Sequence, residues 1–101
     1  MISVKIQRKS GQIQNFAIKN HGSSDVCAAV SLLTLNTVNC IEAFTSESFT
    51  CDYNPEGGFL KWEREGDSLE ADLLLNTMVF GLNSVKENHD KEIRIEDENH
   101  D

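Results

Sequence analysis

The sequence DVCAAVSLLTLNTVNCIEAF, residues 25–44, decides the fold. Its apolar residues recur at the spacing of an amphipathic helix, at Val26, Val30, Leu33 and Ile41. Further apolar residues cover the adjoining faces of that helix: Leu32, Leu35, Val38 and Cys40. Because such a helix is apolar around most of its circumference, we expect it at the centre of the fold. Ser23 or Ser24 is expected to cap its first turn.

Two predicted β-hairpins flank this helix. Before it, apolar and polar residues alternate over residues 2–6, and residues 12–18 repeat the half-buried pattern. After it, strands are predicted over residues 49–53 and 59–65. The segment between them, NPEGG at residues 54–58, has the composition of a turn.

A second helix and a last strand complete the predicted order. Asp67 and Glu70 have the spacing of a capping box, which opens a helix. The apolar stripe of that helix consists of Leu69, Leu73, Met78, Leu82 and Val85. A short strand is predicted over residues 91–96. The order ββαββαβ indicates an α+β fold in which two helices pack on a single mixed β-sheet.

Length and composition favour one soluble domain. The chain has 101 residues, of which 39% are hydrophobic and 26% are charged, as in globular proteins. We expect a single domain over residues 1–96 and an acidic polar tail at 97–101. No apolar run approaches the roughly 20 residues of a membrane span, and the alternating start differs from a signal peptide. These features predict a cytoplasmic protein that does not contact a membrane.

The charge is strongly acidic and unevenly placed. The net charge is −8, which argues against direct nucleic-acid binding through phosphate neutralisation. Residues 1–20 hold four bases and no acid, whereas residues 87–101 hold seven acids and two bases. We favour a solvated, fraying terminus for this acidic end, and a surface that attracts a basic peptide is the alternative.

A cysteine and a histidine near the start of the first helix are candidates for catalysis. Cys27 falls in the first turn, where unpaired N–H groups and the helix dipole stabilise a thiolate. His21 lies six residues earlier on the connecting loop, which can bring the imidazole to the sulfur as general base and acid. The alternative is a buried Cys27 that only packs in the core, as we expect for Cys40 and Cys51.

No metal or cofactor is expected. His89 and His100 stand at no metal-ligand spacing from any cysteine. Gly57-Gly58 leads into a strand, whereas a phosphate-binding loop leads into a helix. The three cysteines form no CxxC pair, so we expect reduced thiols rather than disulfides.

Residues 20–31, NHGSSDVCAAVS, resemble the ribosomal-processing cysteine protease family (Prp). That family is recognised by Gly-His-Ala, a loop, and an acidic residue leading into Cys-Ala-Ala-Val-Ser, which residues 27–31 match throughout. The likeness extends over nearly the whole chain, including Asn36-Thr37 in the first helix and Leu74-Leu75 in the second. It implies one Prp-like cysteine protease domain over residues 1–96.

The resemblance also implies an activity. Such a protein is a cytoplasmic thiol endopeptidase, usually a homodimer, that removes the N-terminal extension of a large-subunit ribosomal protein after a hydrophobic or aromatic residue. Cys27 is then the nucleophile and His21 the base, with Asp25 and Ser31 as supporting residues. Two departures stand out, since Gly-His-Ala is replaced by residues 20–22, NHG, and the loop between His21 and Cys27 is shorter than in the family.

Two other functions remain open at this point. One is a non-catalytic, ribosome-associated binding module of the same fold, which would recognise a basic chain through its acidic surface. The other is a structural or regulatory dimer, because small α+β domains often serve only as interaction units. The presence of both His21 and Cys27 favours the protease.

Overall fold

Seven secondary-structure elements make up the computed structural model, which describes residues 1–101. They are β1 (Ile2–Lys9), β2 (Gln12–Lys19), α1 (Ser24–Phe44), β3 (Phe49–Tyr53), β4 (Phe59–Arg64), α2 (Leu69–Asn88) and β5 (Ile93–His100). The predicted order ββαββαβ and the α+β class are therefore confirmed.

The five strands form one mixed sheet in the order β3-β4-β2-β1-β5. The pairs β1–β2, β2–β4 and β3–β4 are antiparallel, whereas β1 and β5 run parallel with Ile2 opposite Ile93. A parallel neighbour needs a long crossover connection, which α2 supplies between β4 and β5. The predicted mixed sheet is confirmed.

Both helices cover one face of this sheet. On that face Phe16 of β2 stacks on Trp62 of β4, with ring centroids 5.5 Å apart, and both side chains are fully buried. α1 packs on the sheet through one side only and exposes Leu32 and Phe44, which are 71% and 76% accessible. The expected central position of α1 was wrong, because a two-layer fold leaves one side of each helix uncovered.

The start of α2 differs from the expected capping box. Ser68 caps the helix, and its hydroxyl accepts a hydrogen bond from the Ala71 N–H at 3.2 Å. The capping role predicted for Asp67 and Glu70 was wrong, since the serine beside them already satisfies this N–H. The buried residues of α2 are Ala71, Leu75, Met78, Val79 and Leu82. Leu69 and Leu73, predicted in the apolar stripe, are exposed.

The acidic end of the chain is a strand rather than a tail. β5 was expected to end at Glu96, but it continues to His100 beside β1. Arg8 of β1 binds the Asp97 carboxylate at 2.8 Å, and Lys5 lies 3.7 Å from Glu98. The prediction of a polar tail was wrong for residues 97–100, because opposite charges on paired strands favour their alignment.

A buried ion network joins the segment before β3 to the end of β4 and the start of α2. The Arg64 guanidinium donates to Glu47 and to Asp72, both at 2.5 Å, and the side chains of Arg64 and Glu47 are fully buried. It also donates to the backbone carbonyls of Ile13 and Ser68. The Ser68 N–H donates to Glu47 in turn. These contacts hold three separate segments around one positive charge.

Candidate active site

The loop between β2 and α1, residues 20–23, begins with a residue in the left-handed region. Asn20 has φ of 72°, a conformation that glycine adopts freely and asparagine tolerates better than most residues. Its N–H donates to the Gly58 carbonyl at 2.9 Å, which ties the loop to the β3–β4 turn. Asparagine therefore preserves the backbone conformation at the position where the Prp pattern has glycine.

Cys27 lies in the first turn of α1, as predicted. Ser23 is the N-cap, and its hydroxyl accepts a hydrogen bond from the Val26 N–H. The Cys27 sulfur is half-buried and accepts a hydrogen bond from the Gly22 N–H at 3.2 Å. A backbone donor is thus aimed at the sulfur close to the N-terminus of α1.

His21 approaches the same sulfur. Its Nδ1 atom lies 4.0 Å from Cys27 Sγ, so the expected proximity of the two side chains is confirmed. The imidazole packs against Gly57 and Gly58, and a Cβ atom added to Gly58 would lie 3.0 Å from the His21 Cε1 atom. Both glycines have positive φ. Sequence reasoning assigned them only to a turn and missed that Gly58 makes room for the histidine ring.

An open cleft of about 350 Å³ adjoins Cys27 and His21. It lies between the first half of α1 and the β3–β4 turn, Asn54 to Gly58. Much of its wall is apolar or aromatic and includes Ile18, Val30, Leu35, Tyr53 and Phe59. Such a lining suits an apolar or aromatic side chain of a bound peptide. The prediction of two strands over residues 49–53 and 59–65 gave no sign that Tyr53 and Phe59 line the same cleft as Cys27.

The two predicted supporting residues occupy different surroundings. Ser31, one helical turn after Cys27, lines the cleft, and its hydroxyl makes no hydrogen bond. Asp25 is exposed in the first turn of α1 and makes no hydrogen bond to His21 or Cys27. The structure thus brings Cys27, His21 and Ser31 together and leaves Asp25 outside. No group of three or more His, Cys, Asp or Glu side chains is arranged to hold a metal ion.

Known proteins match this chain along most of its length. The family model described as Cysteine protease Prp matches residues 1–94. The chain belongs to the Prp cysteine protease family. It is 29% identical to the ribosomal processing cysteine protease Prp of Staphylococcus aureus strain Mu50, over 94% of this chain and 97% of that protein. The Prp fold and a cysteine protease activity are thereby established for it.

Solved Prp structures superpose closely on it. The essential ribosomal processing protease Prp from Staphylococcus aureus, in complex with a covalently linked product peptide, matches with a TM-score of 0.92 and 29% identity, covering 97% of this chain and all of that one. The same protease in complex with a substrate peptide matches with a TM-score of 0.89 and 26% identity, at the same coverage. Prp proteins of this fold therefore bind peptides.

Cys27 is expected to be more reactive than Cys51 in this Prp protein. Burial raises the pKa of the Cys51 thiol, and the neighbouring Asp52 charge raises this pKa further. Cys51 therefore stays protonated at pH 8, whereas the Cys27 sulfur accepts the Gly22 hydrogen bond and lies 4.0 Å from the His21 Nδ1 atom, which can take its proton. Iodoacetamide should label Cys27 at least roughly tenfold faster than Cys51, measured by peptide mapping after limited alkylation. Equal labelling of both would remove the basis for nucleophilic chemistry at Cys27.

Proposed function

We propose that this Prp protein removes the N-terminal extension of a large-subunit ribosomal protein, with Cys27 as nucleophile and His21 as general base. The observation that carries the proposal is the 4.0 Å approach of His21 Nδ1 to Cys27 Sγ at the edge of an open, partly apolar cleft. The relative named as a ribosomal processing cysteine protease supports the choice of substrate. The site we propose lies within a single protease domain formed by the whole sheet and both helices.

The reaction follows from this geometry in two stages. His21 accepts the thiol proton, the Cys27 sulfur attacks the scissile carbonyl carbon, and the imidazolium then gives its proton to the leaving amine. The amine departs and leaves a thioester between Cys27 and the new carboxyl end. Water then attacks this thioester, His21 takes its proton and returns it to the sulfur, and the carboxylic product is released. The proposed reaction needs no external oxidant or cofactor.

The cleft supplies substrate recognition in this proposal. The wall formed by Leu35, Tyr53 and Phe59 accepts the hydrophobic or aromatic residue that precedes the scissile bond. Ser31 lies on the same wall, where its free hydroxyl is placed to bond to peptide backbone. Asp25 acts only through its charge in the first turn of α1, where an acid stabilises the helix.

The experiment that tests the proposal uses a synthetic peptide spanning the extension of the ribosomal protein from the same cell. We expect a single cut after a hydrophobic or aromatic residue, identified by mass spectrometry under reducing conditions. A control peptide with aspartate at that residue should stay whole, because a charge in the apolar wall costs binding. Binding of several extension peptides without any cut would instead favour the non-catalytic binding module.

We further propose that the protein acts in the cytoplasm as a homodimer. The helical side of the molecule exposes large apolar side chains, namely Leu32, Phe44, Leu69, Leu73 and Phe80. A second copy that covers them would enlarge the modest core of an 11.3 kDa chain. Light scattering at micromolar concentration should give about twice the mass of one chain.

The variant Phe80→Glu should shift this mass toward that of the monomer, because Phe80 is 78% exposed and a charge would oppose an apolar contact. Thr50→Glu adds the same charge at an exposed position of β3 and should remain dimeric. A monomeric wild-type mass at this concentration would contradict the homodimer.

A further inference from the structure

A carboxylate from the far end of the chain contacts the loop that precedes Cys27. Glu92, in the turn before β5, accepts a hydrogen bond from the Ser23 N–H at 2.9 Å through its Oε1 atom. Its Oε2 atom lies 3.4 Å from His89 Nδ1. Of the side chains outside residues 20–27, Glu92 is the one that hydrogen-bonds to this loop.

The backbone of Glu92 is fixed independently of this side-chain contact. Its carbonyl accepts a hydrogen bond from the Ile2 N–H at 2.8 Å, at the start of the parallel β1–β5 pair. Gly22 packs directly on this junction, since a Cβ atom added there would lie 3.5 Å from the Glu92 carbonyl oxygen and 3.4 Å from Ile2 Cδ1. The carboxylate is therefore presented to the loop from a rigid part of the sheet.

The contact between Glu92 and Ser23 acts on Cys27 through the backbone of Ser23 and Gly22. Ser23 is the N-cap of α1, and the residue before it, Gly22, donates its N–H to Cys27 Sγ at 3.2 Å. Holding the Ser23 N–H fixes the peptide plane between Gly22 and Ser23, and with it the direction of the Gly22 backbone. The hydrogen bonds from Ser23, together with the nearby His89, lower the pKa of Glu92, so the carboxylate is ionised at neutral pH.

We propose that Glu92 is a positioning residue for Cys27 and His21, which holds the short β2–α1 loop so that the Gly22 N–H and the His21 ring both face the sulfur. Glu92 touches neither the cleft nor the reacting atoms, so it affects catalysis through the loop. The inference rests on the proposed roles of Cys27 and His21. The β2–α1 loop, which is shorter than in the family, is then anchored by a residue outside the motif.

The test compares Glu92→Ala, Glu92→Gln and Asp90→Ala with the wild type in peptide cleavage. We expect Glu92→Ala to lower kcat by roughly 10- to 100-fold, because small misplacements of reacting groups have effects of that size. KM should stay within about twofold, since the cleft is untouched. Glu92→Gln keeps an oxygen that accepts from Ser23 and should recover most of kcat. Asp90→Ala removes an exposed charge from the same turn and should behave as the wild type.

A second readout does not depend on the substrate. The rate of Cys27 alkylation by iodoacetamide should fall in Glu92→Ala and recover in Glu92→Gln, with melting temperatures close to that of the wild type. Wild-type kcat and wild-type alkylation in Glu92→Ala would overturn the proposal, as would an equal loss in both Glu92 variants. If the wild type cuts no extension peptide, the proposed substrate fails, and the alkylation series still decides the role of Glu92.

Discussion

Cys27→Ala is expected to abolish peptide cleavage and to leave peptide binding within about twofold of the wild type. Bond cleavage needs the sulfur in this proposal, because Cys27 Sγ is the nucleophilic atom that the His21 Nδ1 atom approaches, at 4.0 Å. Binding draws on the cleft wall, to which alanine at position 27 makes no large change. Fluorescence anisotropy with a labelled extension peptide measures binding, and mass spectrometry measures cleavage.

His21→Ala is the matched variant in the same experiment. Removing the imidazole should reduce turnover by roughly 10² to 10⁴ if it transfers protons in the rate-limiting step. The cysteine remains in place, with its Gly22 hydrogen bond. Residual slow cleavage by this variant and none by Cys27→Ala would separate the base from the nucleophile. Full activity of Cys27→Ala would exclude Cys27 as the nucleophile.

Arg64→Ala is expected to lower the free energy of unfolding by about 3–5 kcal/mol. The substitution leaves the fully buried Glu47 carboxylate without its cation. One of the two Glu47 oxygens, Oε2, already has no hydrogen-bond partner, so Arg64 supplies most of the compensation for this buried charge. Urea denaturation followed by far-UV circular dichroism measures the change.

The control for this variant is Lys5→Ala. Lys5 lies 3.7 Å from Glu98, with half of the lysine side chain exposed, so its ion pair is screened by water. We expect Lys5→Ala to lower the free energy of unfolding by less than about 1 kcal/mol. The double variant Arg64→Met with Glu47→Leu should recover much of the loss, because the fully buried carboxylate is removed together with its cation and the remaining Asp72 is partly exposed to water. Similar small losses for Arg64→Ala and Lys5→Ala would contradict the importance assigned to the network.

Local sequence patterns predicted the elements that carry the site, because the spacing of apolar residues in a helix or strand depends on residues that are close together in the sequence. The alternation in residues 2–6 and the apolar spacing of residues 25–44 place β1 and α1 correctly, and this puts Cys27 in a first helical turn. The short loop then limits how far His21 can lie from Cys27. Resemblance of residues 27–31 to the Prp motif added the activity, which the pair of side chains alone left open.

Features that depend on distant residues were not predictable in this way. The network of Arg64, Glu47 and Asp72 gave no sign in the sequence, because an arginine on a strand is ordinarily exposed. The end of β5 was missed because Asp97 is polar and favours a strand only beside Arg8. The contact of Glu92 with Ser23 joins residues that only the completed sheet brings together.

The parallel alignment of β1 with β5 has a consequence for folding kinetics. Ile2 pairs with Ile93, so β1 can form its hydrogen bonds with β5 only after the last strand of the chain has reached the sheet. Contacts between segments so far apart in sequence form slowly, because the loop-closure entropy must be overcome first. The hydrogen bond between the Ile2 N–H and the Glu92 carbonyl, against which Gly22 packs, forms in the same late step. A chain in which β5 has not yet paired therefore has Cys27 but lacks the contact of Glu92 with Ser23, and we expect its thiol to react more slowly than in the folded protein.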